Sequence, residues 1–398
     1  MLYRPQMPTG GKPAREGAEM SDAIEPFHLS VPQSELDDLR QRLANARWPQ
    51  KETVADGSQG VPLEAMRDLC AYWATDYDWR RCESTLNGLG QFRTTIDGLQ
   101  IHFLHIRSPE RDAIPLIMTH GWPGSVLEFI KVAGPLTDPA RHGRDRADAF
   151  HLVLPSLPGY GFSQKPKETG WTAKRTASAW AELMRRLGYT RWFAQGGDWG
   201  SVVTRALGQT KAPGCAAIHL NLAFVPPLPE DMATLTPEEQ GMLGKAQFYQ
   251  EVGSGYAKQQ ATRPQTLAYG LHDSPIGQAA WIYEKLLDWT DRTGLDSMPL
   301  SIDEMLDNIT LYWLTGTAAS SAQFYWENSA PDQTTLVELP TGITQFPGDL
   351  FNASRRWVER AYPQIAYWSQ QSVGGHFPAW EQPDVFAEEI TAYFRLHR

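Results

Sequence analysis

RWFAQGGDWGSVVTRALG, residues 191–208, decides the fold. RWFAQ is a short apolar run of the kind that forms a buried strand, and SVVTRALG reads as a helix. Between them Gly196 and Gly200 flank Asp198 at minus two and plus two. That spacing matches the strand–turn–helix elbow G-x-S-x-G, with Asp in place of Ser. The flanking residues are small because strand and helix approach too closely there for side chains. The sharp turn lifts the central side chain above the sheet, at the start of a helix whose dipole keeps a carboxylate ionised. A lone aspartate at such a junction is by default an N-cap. The two glycines at elbow spacing are what raise Asp198 above that reading.

Working outward, QIHFLHI (100–106), IPLIMT (114–119), FHLVLP (150–155), AAIHL (216–220) and GITQF (342–346) are further short runs rich in β-branched or aromatic residues. Continuous apolar runs suit a mostly parallel sheet covered on both faces. Helices fit 172–187, 201–209 and the last segment, where Phe386, Ile390, Tyr393 and Phe394 form one stripe. The class is α/β. The segment 25–95 reads as a mainly helical N-terminal extension. In it QSELDDLRQRLANAR (33–47) places Leu36, Leu39 and Leu43 on one face, with Ser34 as the expected cap and Pro49 as the stop. A second helix is expected around 62–78. Between 224 and 340 the strand rhythm disappears and helix formers take over. A helical lid fits there, set between two core parts at 96–223 and 341–398. Such a lid would cover the C-terminal edge of the sheet, where α/β folds bind ligands.

A carboxylate at the elbow changes the chemistry. It is a weak nucleophile, but it displaces a leaving group from saturated carbon and forms an alkyl ester on the enzyme. Hydrolysing that ester takes a base and an oxyanion hole. HGWPGS (120–125) follows a core strand, so the N–H of Trp122 and that of Trp199 are the expected pair of donors. The loop GGHF (374–377) precedes the last helix and offers His376 as base. Asp349, in FPGDL (346–350), falls between nucleophile and histidine in chain order. Glu338 and Asp332 remain arguable alternatives for the orienting acid.

Composition excludes several other classes. The chain has 398 residues, 21% of them charged, and a net charge of −10 with no sustained basic run. Nucleic acid and anionic lipid are poor partners for such a surface. Cys70, Cys82 and Cys215 are far apart, which argues against a disulfide scaffold or a zinc module and fits a reducing cytoplasm. No stretch has the roughly 18 apolar residues of a spanning helix. Residues 1–24 read as a disordered leader without a secretory core, and Met20 is an alternative start. The aromatic content, with 15 Trp, 15 Phe and 14 Tyr, hints at a large apolar pocket, although cores and interfaces are the more ordinary use of such residues.

Taken together, these residues resemble the microsomal-type epoxide hydrolases, which have the α/β-hydrolase fold with an added N-terminal domain. PFHLSVPQSELDDLRQRLANARWP (26–49), HGWPGS, LPSLPGYGFS (154–163), GGDWG, FPGDL and GGHFPAWEQP (374–383) come in the family's order. The resemblance covers nearly everything from about residue 25 onward. It implies two lid tyrosines facing the nucleophile, Tyr256 in GSGYAKQQATRP and Tyr325 in AQFYWENS. Spacing alone leaves Tyr269, Tyr283 and Tyr312 equally arguable. Two phenols would hold and protonate the oxygen of an opening epoxide. The implied activity is conversion of an epoxide, apolar to judge by the lid aromatics, to a vicinal diol, with no metal or other cofactor. Two departures stand out: Gly348 occupies a position where the family is expected to carry Lys, and the membrane anchor of mammalian members is missing. Haloalkane dehalogenation by the same aspartate, with the Trp199 indole binding halide, is the nearest alternative. A non-catalytic binding protein of this fold is another. Serine esterase chemistry is disfavoured because no serine sits at the elbow. The oligomeric state is left open, a homo-oligomer included.

Overall fold

The computed structural model describes residues 22–295, 297–330, 332 and 334–398. Most of the leader expected at 1–24, including Met20, lies outside the described residues. Among the described residues nine strands form one sheet: β1 (Glu25–Pro26), β2 (Gln91–Ile96), β3 (Leu99–Ile106), β4 (Ile114–Thr119), β5 (Phe150–Pro155), β6 (Trp192–Gly196), β7 (Cys215–Leu220), β8 (Thr341–Gln345) and β9 (Ile365–Gln370). Their order is β1-β2-β3-β5-β4-β6-β7-β8-β9. Pairing is antiparallel from β1 through β3 to β5 and parallel across the rest. β4, β5 and β6 are almost wholly buried, which is why they read as unbroken apolar runs.

Every run singled out in the sequence is a strand, displaced by at most one residue at either end. β1, β2 and β9 were not anticipated. β9 is a half-exposed edge strand, and β2 carries polar residues on its exposed positions, so neither has a continuous apolar signature. The first helix runs Gln33–Ala44, starting at the expected residue but with a different cap and an earlier end. Pro32, not Ser34, is at the capping position and makes no side-chain cap; its backbone is already preset for the turn into a helix. The helix stops at Asn45, before Pro49 is reached. The second helix is Leu63–Thr75, and an unanticipated third, Trp79–Asn87, starts where the Asp78 carboxylate accepts from the Arg80 N–H.

Helix Ala173–Arg186 packs on Trp199–Gln209, and Ile130–Thr137 packs on Pro383–Arg395. The last of these buries its expected stripe, Phe394 stacking on Phe193 of β6 at 4.6 Å between centroids. No strand is described between β7 and β8; helices fill the interval, from Pro237–Phe248 to Ala318–Glu327. One of them, Ile302–Thr315, ties three parts of the chain together. On one side the Trp73 indole donates to Thr310 at 2.9 Å, the Tyr77 hydroxyl to Asp307 at 2.7 Å, and Arg81 to both oxygens of Asp307. On the other side Asn308 donates to the Pro123 carbonyl at 2.7 Å and Tyr312 to that of Gly124 at 2.8 Å. The N-terminal helices therefore brace a lid helix that grips the turn after β4.

Candidate active site

The elbow is as tight as its glycines suggest. Asp198 adopts φ 49°, ψ −126°, a backbone that costs a side-chain-bearing residue of the order of 1 kcal/mol or more. A Cβ on Gly196 would lie 2.1 Å from the Gly200 carbonyl oxygen, and one on Gly200 would lie 1.8 Å from that of Thr119. Both clashes are with backbone and cannot be relieved by a rotamer change. Gly200→Ala should therefore destabilise the fold by about 1–3 kcal/mol or more, read as a drop in thermal midpoint.

Gly121 also has to be glycine, because a Cβ there would meet the Asp198 side chain at 2.3 Å. This close approach puts the Trp122 N–H on Asp198 Oδ1 at 2.9 Å. Trp199 is the first residue of its helix, where backbone N–H groups have no intrahelical acceptor. The other carboxylate oxygen, Oδ2, is 3.4 Å from His376 Nε2. On its far side His376 Nδ1 is 2.7 Å from Asp349 Oδ1. Asp349 is thus the acid on the histidine. Asp332 is taken up by Thr334 and Thr335, and Glu338 pairs with Lys211.

Burial pushes the His376 imidazole toward the neutral form. The Asp349 and Asp198 carboxylates outweigh burial and hold its pKa well above the usual histidine range. The loop carrying His376 is pinned at several points. Its own N–H donates to the Trp289 carbonyl at 2.8 Å. The Glu381 carboxylate accepts from Gly375 at 2.9 Å and Phe377 at 2.7 Å, and Asp291 accepts from Gly374 at 2.8 Å.

The lid brings Tyr256 and Tyr325 to the same place. The Tyr256 ring stacks on Trp122 at 4.8 Å, and Tyr325 stands edge-on to both Trp122 and Trp199, at 5.9 and 4.8 Å. Both phenols are buried, and burial, reinforced by the negative charge of Asp198, raises their pKa far above the usual tyrosine value. They stay protonated and remain donors. The Tyr325 hydroxyl makes no well-formed hydrogen bond among the described residues, although it is near enough to that of Tyr256 to interact. The other arguable tyrosines are elsewhere: Tyr269 is exposed, Tyr283 is partly buried, and Tyr312 is spent on Gly124.

Three neighbours had no sequence signal. Tyr249 opens a π-helical turn, Tyr249–Gly253, that sets its hydroxyl 3.0 Å from that of Tyr256. Trp289 packs edge-on to His376 at 4.9 Å. Glu128 folds its enclosed carboxyl group back over Gly124. Among the described residues a cavity of about 340 Å³ reaches Asp198, bordered by Val202, Leu222 and Phe224 as well as Arg205 and Asn328.

The profile described as "Epoxide hydrolase N terminus" matches residues 24–129, and that described as "alpha/beta hydrolase fold" matches 114–286. A putative epoxide hydrolase of Stigmatella aurantiaca is 55% identical over 94% of this chain and 86% of its own length. The chain belongs to the epoxide hydrolase family. Epoxide hydrolase 1 of Sus scrofa is 34% identical, covering 97% of this chain and 92% of its own. The structure of the Aspergillus niger epoxide hydrolase superposes with a TM-score of 0.85 at 33% identity, over 95% of this chain and 97% of that one.

Gly348 stands where Lys is expected from the resemblance, and the turn around it leaves little room for a side chain. A side chain there would lie 2.9 Å from Asp291 Cβ and 3.0 Å from the Gly374 carbonyl. A cation still reaches this turn of the epoxide hydrolase, from the lid: Lys245 Nζ donates to the Pro347 carbonyl at 2.8 Å. No helix among the described residues is long and apolar enough to cross a membrane.

Proposed function

We propose that Asp198 is the nucleophile of epoxide hydrolysis and that the reaction passes through a covalent ester on its carboxylate. Oδ1 is occupied by the Trp122 N–H, so Oδ2 is the attacking oxygen. It bonds to one epoxide carbon as the carbon–oxygen bond breaks, and Tyr256 or Tyr325 donates a proton to the departing oxygen. The product of this step is a hydroxyalkyl ester facing a tyrosinate. His376, oriented by Asp349, then takes a proton from water. The hydroxide adds to Cγ of Asp198, and the negative charge develops on Oδ1, toward the N–H groups of Trp122 and Trp199. Collapse releases the diol and regenerates the carboxylate. His376 ends the cycle protonated, as it began.

Esterification itself readies the base. The resting histidine is held protonated between two carboxylates, and alkylation removes the charge of one of them. Its pKa then falls, its proton passes to the tyrosinate, and the neutral imidazole needed for the second step becomes available.

The observation that carries this reading is a carboxylate divided between an oxyanion donor and a histidine, opposite two protonated phenols. Halide displacement is the weaker alternative. Among the described residues the Trp199 indole N–H is buried without an acceptor, as a halide site would have it, but halide needs neither phenol. Single turnover in oxygen-18 water is the test. The label should enter Asp198 first and leave the first diol unlabelled; a labelled first diol means direct attack by water.

Either phenol alone should leave partial activity. Tyr256→Phe and Tyr325→Phe are each expected to slow ester formation by about 100-fold, with a smaller effect on ester hydrolysis. Stopped-flow tryptophan fluorescence separates the two steps, since Trp122 touches both rings and Trp199 touches that of Tyr325.

The same reading takes 25–95 as the N-terminal epoxide-hydrolase-type domain, 224–340 as the lid, and 96–223 with 341–398 as the core. The substrate is an apolar epoxide, in keeping with the aromatic walls around Asp198. Residence in the cytoplasm is supported by three buried, free cysteines.

A further inference from the structure

On the side of Asp198 that the two lid tyrosines do not line, a second, very small cavity has Asp198 and His376 in its wall together with Glu128, Gln195 and Asn221. Its free space of about 10 Å³ suits the centre of one water molecule. Two features make it a polar site. Gln195 is 1% exposed, gives its Nε2 to Asn221 at 2.8 Å, and leaves Oε1 without a partner among the described residues. A buried acceptor in that condition calls for a donor.

The second feature is Glu128. Its carboxyl fills the space above Gly124, where a Cβ would lie 1.4 Å from Oε1, and it accepts the backbone N–H groups of Gly121 and Ser125. Burial pushes its pKa up to about 8, with the Asp198 charge adding to the effect and His376 opposing it. At neutral pH the group is mainly a neutral acid, able to donate one hydrogen bond and accept others.

We propose that Glu128 and Gln195 are positioning residues that hold the hydrolytic water between His376 Nε2 and Cγ of the Asp198 ester. The inference rests on the ester reading above. It adds a separate compartment: substrate meets Asp198 from the phenol side, and water meets it from the Glu128 side. Water is thereby kept off the epoxide while remaining aligned on the ester carbonyl, and a water already in place gains the rate advantage of a fixed geometry.

The test divides the two half-reactions by rapid mixing and quench on the full chain. Glu128→Leu keeps the bulk and removes the polar atoms. It should leave ester formation within about twofold and slow ester hydrolysis by at least about 10-fold, so that ester builds up at steady state. Glu128→Gln, which offers a neutral donor and acceptor in the same place, should recover most of that loss. Gln195→Met leaves the hydrogen bonds of the oxyanion turn untouched and should slow the same step. Equal slowing of both half-reactions, no slowing of hydrolysis in either apolar variant, or a Gln variant as slow as Leu would each overturn the proposal. If the oxygen-18 label appears in the first diol and not in Asp198, the nucleophile reading fails first and takes this one with it.

Discussion

Asp198→Ala is expected to reduce diol formation by about 10,000-fold or more, to near the uncatalysed level. The size follows from the role. Truncation removes the group that forms the bond, and no neighbouring side chain is placed to replace it: Asp349 is turned to the far nitrogen of His376, and Glu128 is a neutral acid bound to backbone N–H groups. The fold should survive, because the elbow is held by Gly196, Gly200 and Gly121 and not by the carboxylate. Asp198→Asn, of nearly the same shape, controls for cavity effects and should be comparably inactive when assayed promptly. A second signature sets this variant apart from a merely misfolded one. Asp198 is one of the two carboxylates that hold His376 protonated, so its removal should lower the histidine pKa, measurable by NMR of labelled imidazole. The reading is sunk by an alanine variant that keeps wild-type turnover.

His376→Gln should separate the two halves of the reaction. Ester formation needs the Asp198 carboxylate and the phenols, and none of these depends on the imidazole as a base. Ester hydrolysis needs a proton acceptor beside the ester, and glutamine is not one. Steady-state turnover should fall by about 1,000-fold or more, while one equivalent of substrate is still consumed in a burst. Intact-mass measurement should then find the protein heavier by the mass of one epoxide, with the adduct on a peptide containing Asp198. Normal turnover would show that His376 is not the base. Loss of turnover without an adduct would place its effect on the first step, through the 3.4 Å contact with the carboxylate.

The fold was legible where the signal is local. Strands buried on both faces must be apolar throughout, so β3 to β8 could be read directly. β2 and β9, with their partly exposed faces, could not. The cap on the first helix was misplaced for a related reason. A serine near a helix start is a frequent cap, but the preceding proline had already fixed the turn. At the site, the elbow, the HGWPGS turn and the GGHF loop announced themselves because close backbone approach demands glycine. The lid tyrosines came from family resemblance, since a buried tyrosine in a helix reads the same whether it faces substrate or core. Tyr249, Trp289 and Glu128 were not found at all, because nothing about their chain neighbours marks them.

The sequence alone determined an aspartate on a strained turn, glycine-rich loops after two other strands, a histidine late in the chain, and the order in which they come. Each is enforced by sterics within a few residues. The tertiary structure decided which acid meets His376, which phenols meet Asp198, and that a carboxyl from 70 residues upstream, Glu128, shares a cavity with them. Those pairings depend on how a lid braced by N-terminal helices settles onto the sheet, and separation along the chain carries no information about distance once the chain has folded.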